Sequence, residues 1–280
     1  MSEMTRPVLE VLAGCGEGVS GEARPRLTTR FVGRPLLCFA ELESTNSLAT
    51  QRALAGADEG TTIVADSQSA GRGRLQRHWL SPPGVNLYFS IVLRPDVAPE
   101  RVAQLPLVAA AALLRALDRY SPALGAMLKW PNDILAGERK LCGILCECEA
   151  ETDRVHHAIV GIGINVNLRE FPPHLADSAT SLRRETGETA SRPALLAEAL
   201  NAFETAYRQW NAARDLSPFL PFLTRRCQIM DRDITVQNVS GQTRGRVVGL
   251  AANGGLLLDT KTGRHSLLSG DVTLTDWRKP

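Results

Sequence analysis

Three textures of apolar and polar positions follow one another along the chain. At the start, Val8, Leu9 and Leu12 in RPVLEVLAG recur at helical spacing. Ser20 in VSGEARPRL is placed as an N-cap, but Pro25 interrupts the helix it announces. From residue 31 to about 225, strand and helix signals alternate. TTIVAD and NLYFSIVL are rich in strand formers, and AMLKW, KLCGILCE and HHAIVGIGINVN read as further strands. PERVAQLPLVAAAALLRALDRY reads as an apolar helix in which Pro106 demands a late start or a kink. SRPALLAEALNAFETAYRQW reads as an amphipathic helix capped by Ser191, with Pro193 in its first turn. The alternation predicts a mixed α/β domain with helices over a sheet. From about residue 228, DITVQ, TRGRVVGLA, GGLLLDT, RHSLLS and DVTLT are short strands, with AANGG as a turn between two of them. They predict a small all-β barrel at the C-terminus.

Length and charge narrow the picture. The 280 residues suit one large domain or two or three unequal ones. A formal net charge of +2 gives no whole-molecule attraction to nucleic acid or anionic membrane, so electrostatic recognition must be local. No stretch approaches ~20 unbroken apolar residues, and MSEMTRPVLE lacks a signal-peptide core, which predicts a cytoplasmic protein without a membrane span. Among the 6 cysteines, Cys142, Cys146 and Cys148 lie close together without a zinc-type CxxC spacing. On a strand they share one face with Ile144, so they are expected to be buried, reduced thiols.

Local charge is concentrated in SQSAGRGRLQRHW. No acidic side chain occurs between Asp66 and Asp96, a window holding Arg72, Arg74, Arg77, His78 and Arg94. Gly71 and Gly73 alternate with the first two arginines. Glycine permits sharp turns and close backbone approach, and the guanidinium fork matches phosphate or carboxylate. Such a loop can wrap an anion, although a lone GRGR is equally an exposed turn. In KWPNDIL, Pro131 ends the strand pattern, Asn132 and Asp133 read as turn residues, and Asp133 is a possible Mg²⁺ ligand beside a nucleotide phosphate. Lys140 opens an apolar strand and can reach across the sheet edge to an anion, or simply face water. Gly161 and Gly163 thin a strand in GIGINVN, which points to close approach by a ligand or another backbone, with Asn165 following. Neither a GxGxxG fingerprint nor a Walker loop is present. Ser44, Thr45 and Asn46 stand at a helix start, as caps or as ligand contacts.

Taken in order, ESTN, ADSQSAGRGRLQRHW, SPPGVNLYFS, LKWPNDIL, RKLCGIL and VGIGINVN resemble the bacterial biotin–protein ligase family. The resemblance implies an α+β fold, with a class II synthetase-like mixed sheet covered by helices and a small C-terminal SH3-like β-barrel. It divides the chain into an N-terminal appendage (1–30, a truncated remnant of a DNA-binding domain), a catalytic domain (31–226) and the SH3-like domain (227–280). It implies that biotin and Mg·ATP give biotinyl-5′-AMP, and that biotin then passes to one lysine of a biotin carboxyl carrier domain. Carried over by position, Ser44, Thr45, Asn46 and Gln68 orient the ureido ring. Arg72, Gly73 and Arg74 form the loop over biotin and the phosphates, and Lys140 bridges carboxylate and α-phosphate. Arg72, Arg74 and Lys140 are thus the expected catalytic residues. Gly143 admits biotin, Asn132 and Asp133 serve the ATP and metal side, Asn165 contacts adenosine and Trp79 lies near adenine.

Two departures from the family pattern stand out. Gln76 occupies the third glycine position of GRGRxGRxW, which predicts a stiffer loop or a different turn. VLEVLAGCGEGVSGEA resembles the opening of the family's winged helix-turn-helix and then stops, so no specific DNA binding is expected. Lipoate–protein ligase and a biotinyl-AMP-dependent transcriptional regulator are the alternatives. Both a monomer and a homodimer are compatible with the sequence.

Overall fold

Leu87–Leu93 is apolar or small at every position, and that run becomes the middle of a sheet covered on both faces. The computed structural model describes residues 27–238 and 241–274. The expected N-terminal helix around Val8–Leu12 and the Ser20 cap lie outside the described residues. The main sheet contains β1 (Leu36–Leu42), β2 (Thr62–Gln68), β3 (Leu87–Leu93), β4 (Met127–Lys129), β5 (Asp133–Ala136), β6 (Arg139–Ala150) and β7 (Val155–Ile164). Their order is β1-β2-β3-β7-β6-β5-β4. β1 and β2 run parallel, joined through helix α1 (Thr45–Leu54), and every other neighbouring pair is antiparallel.

Side chains alternate across this sheet, and the two faces do different things. Leu87, Phe89, Ile91 and Leu93 enter the large core shared with α2 (Leu105–Tyr120) and α4 (Arg192–Ala213). Val92 and Ile159 face the other way and meet Ala49 and Ala53 of α1 in a smaller cluster. Pro106 resolves as a late start: a 3-10 turn over Pro99–Gln104 precedes the helix, and the proline sits in the first turn, where no N–H is needed. Ser191 caps α4 by accepting from Ala194 N at 3.4 Å. The short helices α3 (Leu182–Thr186) and α5 (Leu220–Arg226) complete this part.

Two contacts fix the margins of the sheet. Glu204 of α4 is buried and accepts from three successive backbone N–H groups, Arg30, Phe31 and Val32, at 2.8–3.0 Å. Burial pushes its carboxyl up, but those donors outweigh burial and hold it below the usual carboxylate range. Arg192, also buried, donates to Asp66 Oδ1 (2.6 Å) and to the Asn86 carbonyl (3.1 Å), pinning the loop ahead of β3.

The second sheet contains β8 (Asp233–Asn238), β9 (Gly241–Leu250), β10 (Leu256–Thr260), β11 (Gly263–Leu267) and β12 (Asp271–Leu274), in the order β11-β10-β9-β8-β12, all antiparallel. It matches the strands read from the sequence and is consistent with an SH3-like unit. Its inward side chains, among them Ile234, Val236, Val247 and Leu258, belong to the same apolar core as α2 and α4. Trp130 Nε1 donates to Gly254 O at 3.0 Å across the seam.

Three expectations need correction. Asp133 is not a turn residue but the first residue of β5, a strand of 4 residues too short to read from pattern. Arg94 does not join the cation cluster; its guanidinium donates to Ala53 and Ala57 carbonyls at the end of α1. Cys142 is buried, and burial pushes its thiol well above the ordinary range, but Cys148 on the same strand is exposed.

Candidate functional site

The face of the main sheet beside α1 is kept clear by three glycines. Gly143 of β6 pairs with Gly163 of β7, and Gly161 of β7 pairs with Ser90 of β3. A Cβ at Gly161 would lie 1.9 Å from Asn46 Oδ1, and one at Gly163 would lie 2.5 Å from Trp79 Nε1. What approaches these strands is therefore the chain's own side chains. The indole of Trp79 spans Gly143 and Gly163, and Asn46 stands on Gly161. The resulting cavity is about 250 Å³.

Helix α1 delivers the polar groups. Ser44 is its N-cap, accepting from Ser47 N, so Thr45 and Asn46 start the helix with their side chains over the sheet. Thr45 N donates to Gln68 Oε1 at 2.8 Å, and Gln68 Nε2 donates to Ser81 Oγ at 2.9 Å. Asn46 Nδ2 donates to Glu147 Oε2 at 2.7 Å.

The glycine-spaced loop folds as a small hairpin over this floor. Trp79 N donates to Gly71 O (2.8 Å) and Gly73 N to Arg77 O (2.7 Å). A Cβ at Gly71 would sit 2.6 Å from both Ser81 Oγ and Trp79 O, so only glycine fits. At the tip Leu75 and Gln76 are left-handed, with φ of 55° and 58°. Gln76 thus holds a left-handed backbone, the shape that a glycine adopts without strain. Carboxylates and amides from distant parts of the chain meet the arginines. Arg72 pairs with Glu147 (3.2 Å), Arg74 donates to Asn132 Oδ1 (2.9 Å) and Arg77 pairs with Asp271 of β12.

Lys140 reaches the cavity because β6 carries a β-bulge. The register against β5 shifts between Ile134 and Leu135, so Leu141 and Cys142 both enter the core while Lys140 joins the face of Gly143. Its ammonium lies 2.7 Å from Asp133 Oδ1 and 5.3 Å from the Trp79 ring. The segment after β7 clamps the lysine backbone: Lys140 N donates to Ser178 O and Thr180 N to Lys140 O. Asn165 Nδ2 donates to Lys140 O at 3.4 Å. Every site residue that the resemblance implied, Ser44, Thr45, Asn46, Gln68, Arg72, Gly73, Arg74, Trp79, Asn132, Asp133, Lys140, Gly143 and Asn165, lines this cavity.

Residues 38–165 match the model of the biotin/lipoate A/B protein ligase family, and residues 231–274 match the biotin protein ligase C-terminal domain. The chain is 36% identical over 261 residues to the bifunctional ligase/repressor BirA of Bacillus subtilis, covering 92% of this chain and 80% of that one. It is 32% identical over 241 residues to the biotin–[acetyl-CoA-carboxylase] ligase of Paracoccus denitrificans, covering 84% of this chain and 98% of that one. The chain belongs to the biotin protein ligase family. A solved member from Aquifex aeolicus, in complex with biotin and ATP, superposes with a TM-score of 0.73 at 33% identity, covering 85% of this chain and 97% of that one.

Several cavity groups of this ligase family member escape sequence reading. Asp271 lines the cavity and Glu147 stands beside it behind Asn46, and neither bears a motif, although Glu147 lies two pairs of residues after Gly143 and so shares its face of the strand; Ser81 and Ser90, the two ends of SPPGVNLYFS, bond to residues that line the cavity. Phe171 and Leu175 add an apolar wall from the segment after β7. Among the described residues no group of three or more His, Cys, Asp or Glu could cage a metal. Mg²⁺ typically keeps several waters and takes one or two carboxylates plus substrate phosphates. Asp133 beside Lys140 fits an ion brought in with a nucleotide, and does not amount to a resident metal site. Among the described residues, Trp79 Nε1 and Arg72 Nε are buried without a partner, two donors available inside the cavity.

Proposed function

We propose that this chain is an ATP-dependent biotin–protein ligase that makes biotinyl-5′-AMP and transfers biotin to one lysine of a biotin carboxyl carrier domain. The observation that carries the reading is the convergence of Lys140, Arg72, Arg74 and the Ser44–Asn46 helix start on one glycine-floored cavity. In the first step a biotin carboxylate oxygen bonds to the α-phosphorus of ATP, and the bond to pyrophosphate breaks. Two anions must meet, so fixed cations lower the barrier by neutralising charge and holding the reactants in line. Lys140 and Arg74 take that role, with Arg72 and Gly73 closing the loop. In the second step the acceptor amine attacks the acyl carbon, AMP leaves and a proton is released. The hairpin keeps water from the mixed anhydride until the amine arrives.

Ser44, Thr45, Asn46, Gln68 and Gly143 form the biotin end. Trp79, Asn132 and Asn165 serve ATP, and Asp133 is available to an Mg²⁺ ion that accompanies the triphosphate. Residues 31–226 act as the catalytic unit and 227–280 as the SH3-like unit. No helix among the described residues is long and apolar enough to cross a membrane, which fits the proposed cytoplasmic location.

The test is pyrophosphate release with Mg·ATP and either biotin or lipoate, followed by addition of a biotin-acceptor domain. Release with biotin alone, then label on one acceptor lysine, is the expected result. Release with lipoate alone would overturn the substrate assignment, and silence with both acids would overturn the activity.

A further inference from the structure

We propose that Glu147 is a positioning residue that sets the donor–acceptor polarity of the cavity, so that the oxygens around Thr45 call for a ligand N–H. The inference rests on the biotin-ligase reading only for the choice of probe.

The hydrogen bonds around the floor form one chain with an acceptor-only group at each end. One end is the main-chain carbonyl of Trp79. Ser81 donates its hydroxyl there (2.9 Å) and so accepts from Gln68 Nε2 (2.9 Å), which turns Gln68 Oε1 toward Thr45. The other end is the Glu147 carboxylate. It accepts from Asn46 Nδ2 at 2.7 Å, which turns Asn46 Oδ1 toward Ser90, where the fully buried Ser90 hydroxyl donates at 2.6 Å. A hydroxyl has one proton. With Ser90's proton given to Asn46, Thr45 Oγ1 is left without the donor that Ser90 Oγ at 2.8 Å could supply, while it gives its own proton to Gln68 Oε1 at 3.1 Å, which also accepts from Thr45 N at 2.8 Å. Polarity imposed from both ends meets at Thr45 with lone pairs in excess. A cyclic urea, whose ring nitrogens are donors, satisfies that shortage. Arg72 pairs with the same Glu147 oxygen at 3.2 Å, so the loop hairpin is tied to the atom that orients the floor.

An isosteric amide at this position undoes the arrangement. In E147Q an NH₂ turned toward Asn46 gives up the bond to Arg72, and the Asn46 amide then reverses and donates to Ser90. Ser90 passes its proton to Thr45, whose hydroxyl then has one lone pair fewer for an incoming N–H. A buried site mismatched to its ligand's hydrogen bonds discriminates strongly. The variant N46D/E147Q restores the original polarity at unchanged net charge. The carboxylate introduced by N46D can only accept, from the amide introduced by E147Q on one side and from the Ser90 hydroxyl on the other.

The experiment measures the biotin Kd by calorimetry and the ATP KM in pyrophosphate release for wild type, E147Q, N46D/E147Q and S90A, with melting temperatures as fold controls. We expect the biotin Kd to rise at least about tenfold in E147Q and in S90A, with ATP KM changed less than about twofold. The double variant should bind biotin more tightly than E147Q. If E147Q does not fold, S90A cuts the same chain from β3. An unchanged biotin Kd in E147Q and S90A, equal losses for biotin and ATP, or no recovery in the double variant would each overturn the proposal. Wild type that binds biotin without turnover would refute the ligase reading while the Kd ratios still judge Glu147. Wild type that binds no biotin would overturn both.

Discussion

Lys140 holds Asp133 at 2.7 Å across the β5–β6 hairpin, inside the cavity. A cation placed there costs nothing to reorganise when negative charge builds up on a phosphoryl or acyl oxygen. Lys140→Ala should lower kcat/KM for biotin-dependent pyrophosphate release by about 10²-fold or more. The ion pair is partly exposed, so the melting temperature should move little. Undiminished release at an unchanged melting temperature would remove Lys140 from the mechanism.

Arg74 is the part of the loop that reaches the β5 side of the cavity, through Asn132 Oδ1. Arg74→Gly should loosen closure over the acyl-adenylate. Labelling of bystander lysines in an added unrelated protein should rise, as read by avidin blot. A level equal to wild type would argue that the loop does not retain the intermediate.

Gln76 carries a φ of 58° at an exposed tip. Gln76→Gly removes a conformational penalty of about 1 kcal/mol and should keep full activity. Gln76→Val places a β-branched residue where that backbone is disfavoured, and should lower kcat/KM several-fold without changing the melting temperature. Equal kcat/KM values for the two variants would show that the tip conformation does not matter.

Asp271 links the loop to β12 through Arg77, whose side chain is 69% exposed. A pair so exposed contributes little to global stability. Asp271→Ala should therefore leave the melting temperature unchanged while backbone amides of residues 71–79 exchange hydrogen faster. Added salt should narrow the difference between the variant and wild type, because salt screens the pair.

Glu204 gathers three backbone N–H donors, and its carboxyl is held below the usual range. A depressed folded pKa adds stability above the unfolded glutamate value of about 4.3, and that stability is lost as pH falls through the folded value. Glu204→Gln should cost about 2 kcal/mol at neutral pH. The gap from wild type should shrink on acidification, measured by urea unfolding across that pH range. A gap independent of pH would contradict the assignment.

Long, strongly patterned elements were legible in the sequence: β3, α2, α4 and the strands of the second sheet all lie where apolar pattern and turn residues put them. The candidate residues also converge as their motifs implied. What could not be read is non-local. β1 and β5 are defined by their partners more than by their own pattern. The bulge at Leu141 breaks the alternation that would have put Lys140 on the face of Cys142. The arginine loop looks unopposed along the chain because its partners, Glu147 and Asp271, come from β6 and β12. Glu147 was hidden among cysteines that mark the core face of the strand, while the opposite face held the cavity.

Trp130 stands beside Asn132 and Asp133, yet its indole is fastened to Gly254 in a hairpin turn of the second sheet. The apolar core runs through that contact without a break. The smaller sheet is therefore masonry as much as appendage. Anyone dividing this enzyme into complementing fragments would find a poor seam at residue 227, because the cut would expose the wall on which the Asn132–Asp133 side of the cavity is built.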